Sequence, residues 1–297
     1  MRKIETEQEI VSSQKSPDVW LKTPTIKGLG NYTSMFLDDF CCFSVFEDRE
    51  QFSPLFEIND KHLQDVLCFS DPSFLRYGLV QQLDEVAKEL LLFGKTYVEV
   101  ITEEDKDSKL VSISFKPIYT NKAKAIHDRV YFRAKKFDES RISFWVPKSN
   151  LIIFDLKELG FSCRYFVRLL RKIQKLELPF DMMGTRDFNI DYFKSYSEKK
   201  MLKLNRRTYW TGRNYNNQFM SEGYLLYRSI KFKELQWRFL EYLISGYNEA
   251  LSGVIAEKKV NGQIMIKEKK PDYTSYISRL QRGDLNFEQL SSLIYKY

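Results

Sequence analysis

Cationic and aromatic side chains alternate between residues 203 and 215 of the chain. Lysine and arginine can neutralise phosphates, and aromatic rings can stack on bases, so this composition is typical of a surface that binds nucleic acid. The predicted DNA-facing cations are Lys203, Arg206, Arg207 and Arg213, and the predicted stacking residues are Tyr209 and Trp210. The alternative is a loop that contacts a neighbouring subunit, because tyrosine, tryptophan and arginine are also enriched at protein interfaces.

A second basic segment follows Gly160. Residues 161–178 place apolar side chains at helical spacing and leave five cations between them: Arg164, Arg168, Arg171, Lys172 and Lys175. This pattern predicts an amphipathic helix with a basic polar face. Arg168 and Arg171 therefore join the predicted DNA-facing set, with the same alternative of a subunit contact.

A metal-dependent nuclease is the catalytic reading of the sequence. Asp155-Leu156-Lys157 ends an apolar run, and an acid followed two residues later by lysine is a fragment of sites that hold a hard cation and an attacking water. Glu99 or Asp128 would supply the second carboxylate. The alternative is that Asp155 caps the turn after a strand, so no catalytic or metal-binding residue is assigned.

Other cofactor motifs are incomplete. Gly94-Lys95-Thr96 has the last three residue types of a phosphate-binding loop, but Glu89 occupies the position of its first glycine, and the triplet follows a helix instead of opening one. Four cysteines and two histidines include no CxxC pair, so the spacing of a structural zinc site is missing. No cofactor is predicted.

The elements that must position these residues indicate an α+β fold. Helical spacing from Leu79 to Leu91 ends at Gly94, a residue type that often terminates helices. Strand patterns follow at residues 96–101, 110–115, 130–134, 141–146 and 151–155, which predicts one helix leading into an antiparallel, β-rich segment. The motifs at Gly94 and Asp155 would then lie at the two ends of this segment.

The C-terminal part is predicted to be mainly helical. A long helix is expected over residues 225–251 and to end near Gly253, and Asn261-Gly262 indicates a small hairpin. Residues 185–222 have no usable period. We expect three regions: a flexible arm at 1–19, an α+β wing-like domain at 20–160, and a basic stem- or clip-like region at 161–297.

Charge is uneven along the chain. The 297 residues carry a net charge of +7, but residues 1–120 hold 13 Lys/Arg against 21 Asp/Glu, a net charge of −8. Residues 121–176 hold 14 against 5, a net of +9, and residues 193–238 hold 11 against 3, a net of +8. This polarity favours contact with nucleic acid or with an acidic surface of a like subunit; a solvated basic face is the alternative. Neither a membrane span nor a secretory signal is predicted.

Residues 79–160 resemble the wing region of tailed-phage portal proteins. The resemblance rests on Leu90-Leu91-Leu92-Phe93-Gly94-Lys95-Thr96-Tyr97-Val98-Glu99-Val100, on the strand ending in the Pro117 segment (110–118), and on Val146-Pro147-Lys148-Ser149-Asn150-Leu151-Ile152-Ile153, after which helices begin. Lys95 and Thr96 stand where such proteins usually have a small residue, and the chain after Gly160 is short for a portal protein.

The resemblance implies a non-enzymatic homo-oligomer. It would be a ring, typically of twelve subunits, that conducts double-stranded DNA during packaging and ejection. Its other partners would be the packaging motor, the capsid and the tail proteins, and it would be found in the virion and, during assembly, in the host cytoplasm. Besides the nuclease, the alternative is a monomeric nucleic-acid-binding or host-interaction module with a portal-like fold.

Overall fold

The computed structural model combines helices with three small sheets, as the predicted α+β class requires. It describes residues 8–11, 31–46, 54–68, 73–107, 109–120, 122–136, 140–161, 163–176, 190–212, 221–258, 261–286 and 288–289. The α-helices are α1 (Asn31–Phe40), α2 (Lys61–Leu67), α3 (Leu79–Phe93), α4 (Cys163–Leu176), α5 (Ile190–Thr208), α6 (Glu222–Lys258) and α7 (Tyr273–Gln281). The strands are β1 (Gln8–Val11), β2 (Phe56–Ile58), β3 (Lys95–Glu104), β4 (Leu110–Pro117), β5 (Ala123–Ile126), β6 (Arg129–Lys135), β7 (Arg141–Pro147), β8 (Leu151–Asp155) and β9 (Ile264–Ile266).

The predicted junction between α3 and β3 is confirmed. Gly94 has a φ of 81°, in the left-handed region, and its N–H donates to the carbonyl oxygen of Leu90. Glycine adopts this conformation without the steric cost that a Cβ would add, so the chain turns at once from the helix into the strand. β3 is thereby fixed as the central strand of a sheet.

The β-rich segment forms two sheets. β3 pairs antiparallel with β4 on one side and with β8 on the other. β5, β6 and β7 form an antiparallel meander, to which β1 adds a parallel edge. The predicted flexible arm therefore needs correction at residues 8–11, which form β1; the rest of residues 1–19 lies outside the described residues.

One hydrophobic core crosses the expected boundary between residues 160 and 161. It contains fully buried side chains from α1, α3, α4 and α6, among them Phe36, Leu83, Leu170 and Leu243. α6 contacts β8 and α3 within this core. The two expected domains therefore share a core in the described residues.

Three features of the C-terminal part differ from the predictions. The segment without a usable period contains α5. Gly253 lies inside α6, which continues to Lys258, because an exposed helix tolerates a glycine at a modest cost. The predicted hairpin is wrong: β9 pairs with β2, which lies about two hundred residues earlier in the chain.

α6 is 37 residues long. Among the helices that the structure describes, however, none has an apolar stretch long enough to cross a bilayer.

Gly246 allows α6 to approach β8 closely. A Cβ at this position would lie 2.9 Å from Cζ of Phe154 and 3.3 Å from Cγ2 of Ile152. The Phe154 ring is buried and contacts Tyr242 and Tyr247, so it has little room to move. The absence of a side chain at Gly246 therefore sets the spacing between helix and strand.

We expect Gly246→Ala to lower the free energy of unfolding by about 1–3 kcal/mol, because the added methyl group overpacks the contact with Phe154. Gly253→Ala is the matched control on the same helix: apart from the nearby backbone of α6 itself, no atom of the described residues lies within 4 Å of its Cβ position. It should raise the free energy of unfolding by about 0.5–1 kcal/mol through helix propensity. Urea denaturation measures both, and equal effects would contradict the close approach.

Candidate nucleic-acid interface

The predicted basic helix is confirmed as α4. Its apolar face is buried in the core, with Phe166, Leu170 and Ile173 fully covered. Arg168, Arg171 and Lys172 are exposed. Because residues three and four apart share a helix face, these three cations lie together on the solvent side.

α5 brings a second set of cations to the surface. Lys203, Arg206 and Arg207 are exposed and follow the same spacing of three and four residues. The opposite side of the helix is buried through Leu204, Asn205 and Thr208. Two of these three buried residues are polar, which explains why hydrophobic periodicity did not predict a helix here.

A contact between Arg207 and Tyr165 joins the two exposed faces. The guanidinium carbon of Arg207 lies 4.1 Å from the centroid of the Tyr165 ring, within the range of a cation–π interaction. The start of α4 therefore meets the end of α5. We use the term basic surface for the six exposed cations on these helices: Arg168, Arg171, Lys172, Lys203, Arg206 and Arg207.

Few carboxylates lie on the two helices of the basic surface: α5 contains Asp191 and Glu198. Residues 161–176 contain no Asp or Glu. Within the described part of the chain, none of the six cations forms an ion pair with a carboxylate. Exposed cations without internal counter-ions can bind phosphates, an interaction that gives affinity without sequence selection.

A buried arginine fixes the end of α5. Arg228 on α6 is 5% exposed and donates hydrogen bonds to three carbonyl oxygens: those of Asn205 at 2.9 Å, Tyr209 at 3.2 Å and Trp210 at 2.6 Å. Asn205 lies in the last turn of α5, where carbonyls lack partners within the helix and carry partial negative charge, and Tyr209 and Trp210 follow directly after it, so a cation at this position is stabilising.

Trp210 does not offer a stacking face, which corrects the prediction. It is 3% exposed, its Nε1–H donates to Asp39 at 3.0 Å, and its ring makes edge contacts with Tyr32 and Phe36 of α1. Indole N–H groups usually find a partner when buried, and this one ties the end of α5 to α1.

The other predicted residues of this segment differ in position. Tyr209 is half-buried, in the left-handed region with a φ of 61°, and its ring contacts Tyr227 edge-on at 6.2 Å. Arg213 lies outside the described residues. Five of the six predicted DNA-facing cations are thus brought to two neighbouring helices.

The proposed nuclease fragment is occupied by structural contacts. Asp155 accepts a hydrogen bond from the Lys157 N–H at 3.0 Å, as the capping alternative expects, and forms an ion pair with Lys95 at 2.8 Å. Partial burial would raise the pKa of Asp155, but the hydrogen bonds from Lys95 and Lys157 hold it below its usual value.

The two proposed partner carboxylates are not brought to Asp155. Glu99 pairs with Leu151 in the β3–β8 register, four positions along the strand from the Lys95–Asp155 pair. Asp128 lies in the turn between β5 and β6. The described residues contain no group of three or more His, Cys, Asp or Glu that could hold a metal ion.

The Gly94-Lys95-Thr96 triplet is also structural. The buried Thr96 hydroxyl donates to Glu89 at 3.0 Å. Burial raises the pKa of Glu89 to about 8, partly opposed by that hydrogen bond. Glu89 stands where a phosphate-binding loop has its first glycine. Thr96 therefore binds the side chain that departs from the phosphate-loop pattern.

No protein-family model matches the chain, and no curated protein shows significant sequence similarity to it.

Sequence reasoning missed the residues that organise this surface. Tyr165 and Arg228 have no local signal, since each acts on a residue more than fifteen positions away. Lys172 was predicted on the polar face of the helix but was not counted among the DNA-facing residues. Its spacing from Arg168 was the signal that could have placed it there.

We expect Arg228→Met to lower the free energy of unfolding by about 2–3 kcal/mol, because three carbonyl oxygens at the end of α5 lose a charged donor. Amides of residues 204–210 should also exchange faster with solvent. Arg206→Met is the matched control, since that side chain is exposed near the end of α5, and its effect should stay within about 0.5 kcal/mol. Similar losses in both variants would contradict the role of Arg228. Chemical denaturation and hydrogen exchange provide the measurements.

Proposed function

We propose that the chain is a portal-like structural protein whose copies form a ring that conducts double-stranded DNA during virion packaging and ejection. The observation that carries the proposal is the basic surface on α4 and α5. DNA that must move needs contacts that hold phosphates without reading sequence, and exposed Lys and Arg side chains provide them. Each residue adds little, so the duplex is attracted without being locked in place.

The order of elements supports the proposal. A helix ending at Gly94, a strand pair leading to Pro117, further strands, and a last strand at Leu151–Asp155 follow one another in the order that the portal resemblance implies. Helices α4, α5 and α6 then complete the described core. This agreement concerns the order of the elements, and the basic surface adds the exposed positive charge that conducting DNA would need.

Charge polarity supports self-association. The acidic N-terminal part and the basic segments after residue 120 carry net charges of opposite sign in each copy. Opposite charges favour a head-to-tail contact, and such a contact produces a ring when the rotation between copies closes. In this function the partners are further copies of the chain, double-stranded DNA, the packaging motor, and the capsid and tail proteins. The protein would act in the virion and, during assembly, in the host cytoplasm.

The assembly state tests this function directly. Native mass spectrometry and negative-stain imaging of the full chain should show closed rings of about a dozen subunits. A protein that stays monomeric at high concentration would contradict the proposal. A monomer that still binds DNA would favour the nucleic-acid-binding module instead.

The role of the basic surface is tested by charge removal. The variant R168Q/R171Q/K203Q/R206Q should bind a labelled duplex about tenfold or more weakly at low salt. Its affinity should also depend less on salt, since each lost phosphate contact removes about 0.9 from the logarithmic slope. The control K61Q/K106Q/K109Q/K267Q removes the same charge from exposed positions elsewhere and should retain more of the affinity. Equal losses would show that net charge alone, and not this surface, binds DNA.

A further inference from the structure

The sheets of the described residues have several edge strands, and β8 and β5 are two of them, in different sheets. β8 ends the three-stranded sheet, and β5 ends the four-stranded sheet. Within the described residues, no strand pairs with the outer side of either one. An open edge exposes backbone N–H and C=O groups and can pair with a strand from another chain.

Tyr242 identifies the backbone groups on the open side of β8. Its hydroxyl accepts from the Asp155 N–H at 2.9 Å and lies 3.2 Å from the Asp155 carbonyl oxygen, so both groups of Asp155 point away from β3. Backbone direction alternates along a strand, and the N–H and C=O of Ile153 therefore point the same way. The Ile153 side chain is 40% exposed, one of few large apolar side chains at the described surface.

An acidic groove runs along this edge. The groove lies between β8 and α6 and has a volume of about 500 Å³. Phe154 and Gly246, where the strand and the helix come close together, line its base. Among the described residues its charged lining consists of Asp155, Glu158 and Glu249, without Lys or Arg, and Asp155 is paired with Lys95 of the neighbouring strand. Glu158 and Glu249 are exposed. The groove therefore suits an extended, basic segment of chain.

β5 has the complementary properties. The Lys122 carbonyl accepts from the Arg133 N–H at 3.0 Å, so the backbone of Lys122 and, two residues on, of Lys124 faces β6. The backbone groups of Ala123 and Ala125 then face outward, and their small side chains allow close approach. Lys122 and Lys124 are exposed and bring positive charge to this edge.

We propose that β5 of one copy adds as a strand to the β8 edge of the next copy, with Lys122 and Lys124 near Glu158 and Glu249. This inference rests on the proposed ring. The two edges belong to different sheets of one chain, so the contact is head-to-tail and leaves one free edge of each kind on every new copy. Main-chain hydrogen bonds supply affinity, and the opposite charges select the partner edge.

Charge reversal tests the pairing. K122E/K124E and E158K/E249K should each raise the concentration needed for assembly by about tenfold or more, since like charges then meet at the contact. The chain that carries all four changes should assemble again, because the charges are exchanged and not lost. K106E/K109E, in the exposed turn between β3 and β4, is the matched control and should assemble like the wild type. Circular dichroism verifies that every variant is folded.

Cysteine cross-linking tests the contact independently of charge. A125C and I153C chains, mixed under oxidising conditions, should give a disulfide-linked dimer that neither variant forms alone. Three results would each overturn the edge pairing while the wild-type chain still forms rings. Both charge-reversal variants could assemble like the wild type, the variant with all four substitutions could fail to assemble, or the assembled cysteine variants could lack the mixed disulfide. A wild-type chain that never assembles would overturn both the edge pairing and the ring.

Discussion

The geometry of the basic surface depends on one buried cation. Six exposed Lys and Arg side chains on two neighbouring helices repel one another, and water screens this repulsion only in part. The buried Arg228 counteracts this repulsion, because its three hydrogen bonds hold the end of α5 against α6. The Trp210–Asp39 hydrogen bond and the 2.6 Å bond from the Tyr32 hydroxyl to Asn205 fix the same end to α1. The exposed charges are thus held by polar contacts beneath them.

The sequence predicts local structure well where the periodicity is apolar. α3 and α4 follow the helical spacing of their apolar side chains, β3, β4, β6, β7 and β8 follow their apolar, strand-forming runs, and the helix end at Gly94 follows from backbone chemistry. β5 buries no side chain and gives no such pattern. α5 could not be recognised this way, because the residues that anchor it include Asn205 and Thr208. The pairing of β2 with β9 joins residues far apart in the chain, and no local pattern encodes such a contact.

The candidate site was predictable in part for the same reason. Exposed cations at helical spacing are visible in the sequence, and five of the six predicted positions lie on α4 and α5. Trp210 was misassigned because an indole ring beside arginines suits a core as well as a nucleic-acid surface. The contact that places Trp210 in the core is the hydrogen bond from its indole N–H to Asp39, which lies 171 positions earlier in the chain. The phosphate-loop and nuclease fragments are misleading for the same reason. Lys95, Thr96 and Asp155 make structural contacts that join β3 to α3 and β8.

α6 contacts both the helix end beneath the basic surface and the acidic groove. Arg228 near its start holds the end of α5, and Tyr242 and Gly246 further along form one wall of the acidic groove. Eighteen residues separate Arg228 from Gly246, about 27 Å of helix, and the helix contains no proline that would kink it. In the proposed ring, a load applied to α5 by a moving duplex would pass along α6 to the proposed contact between neighbouring copies, so that strain at the two places would be mechanically linked.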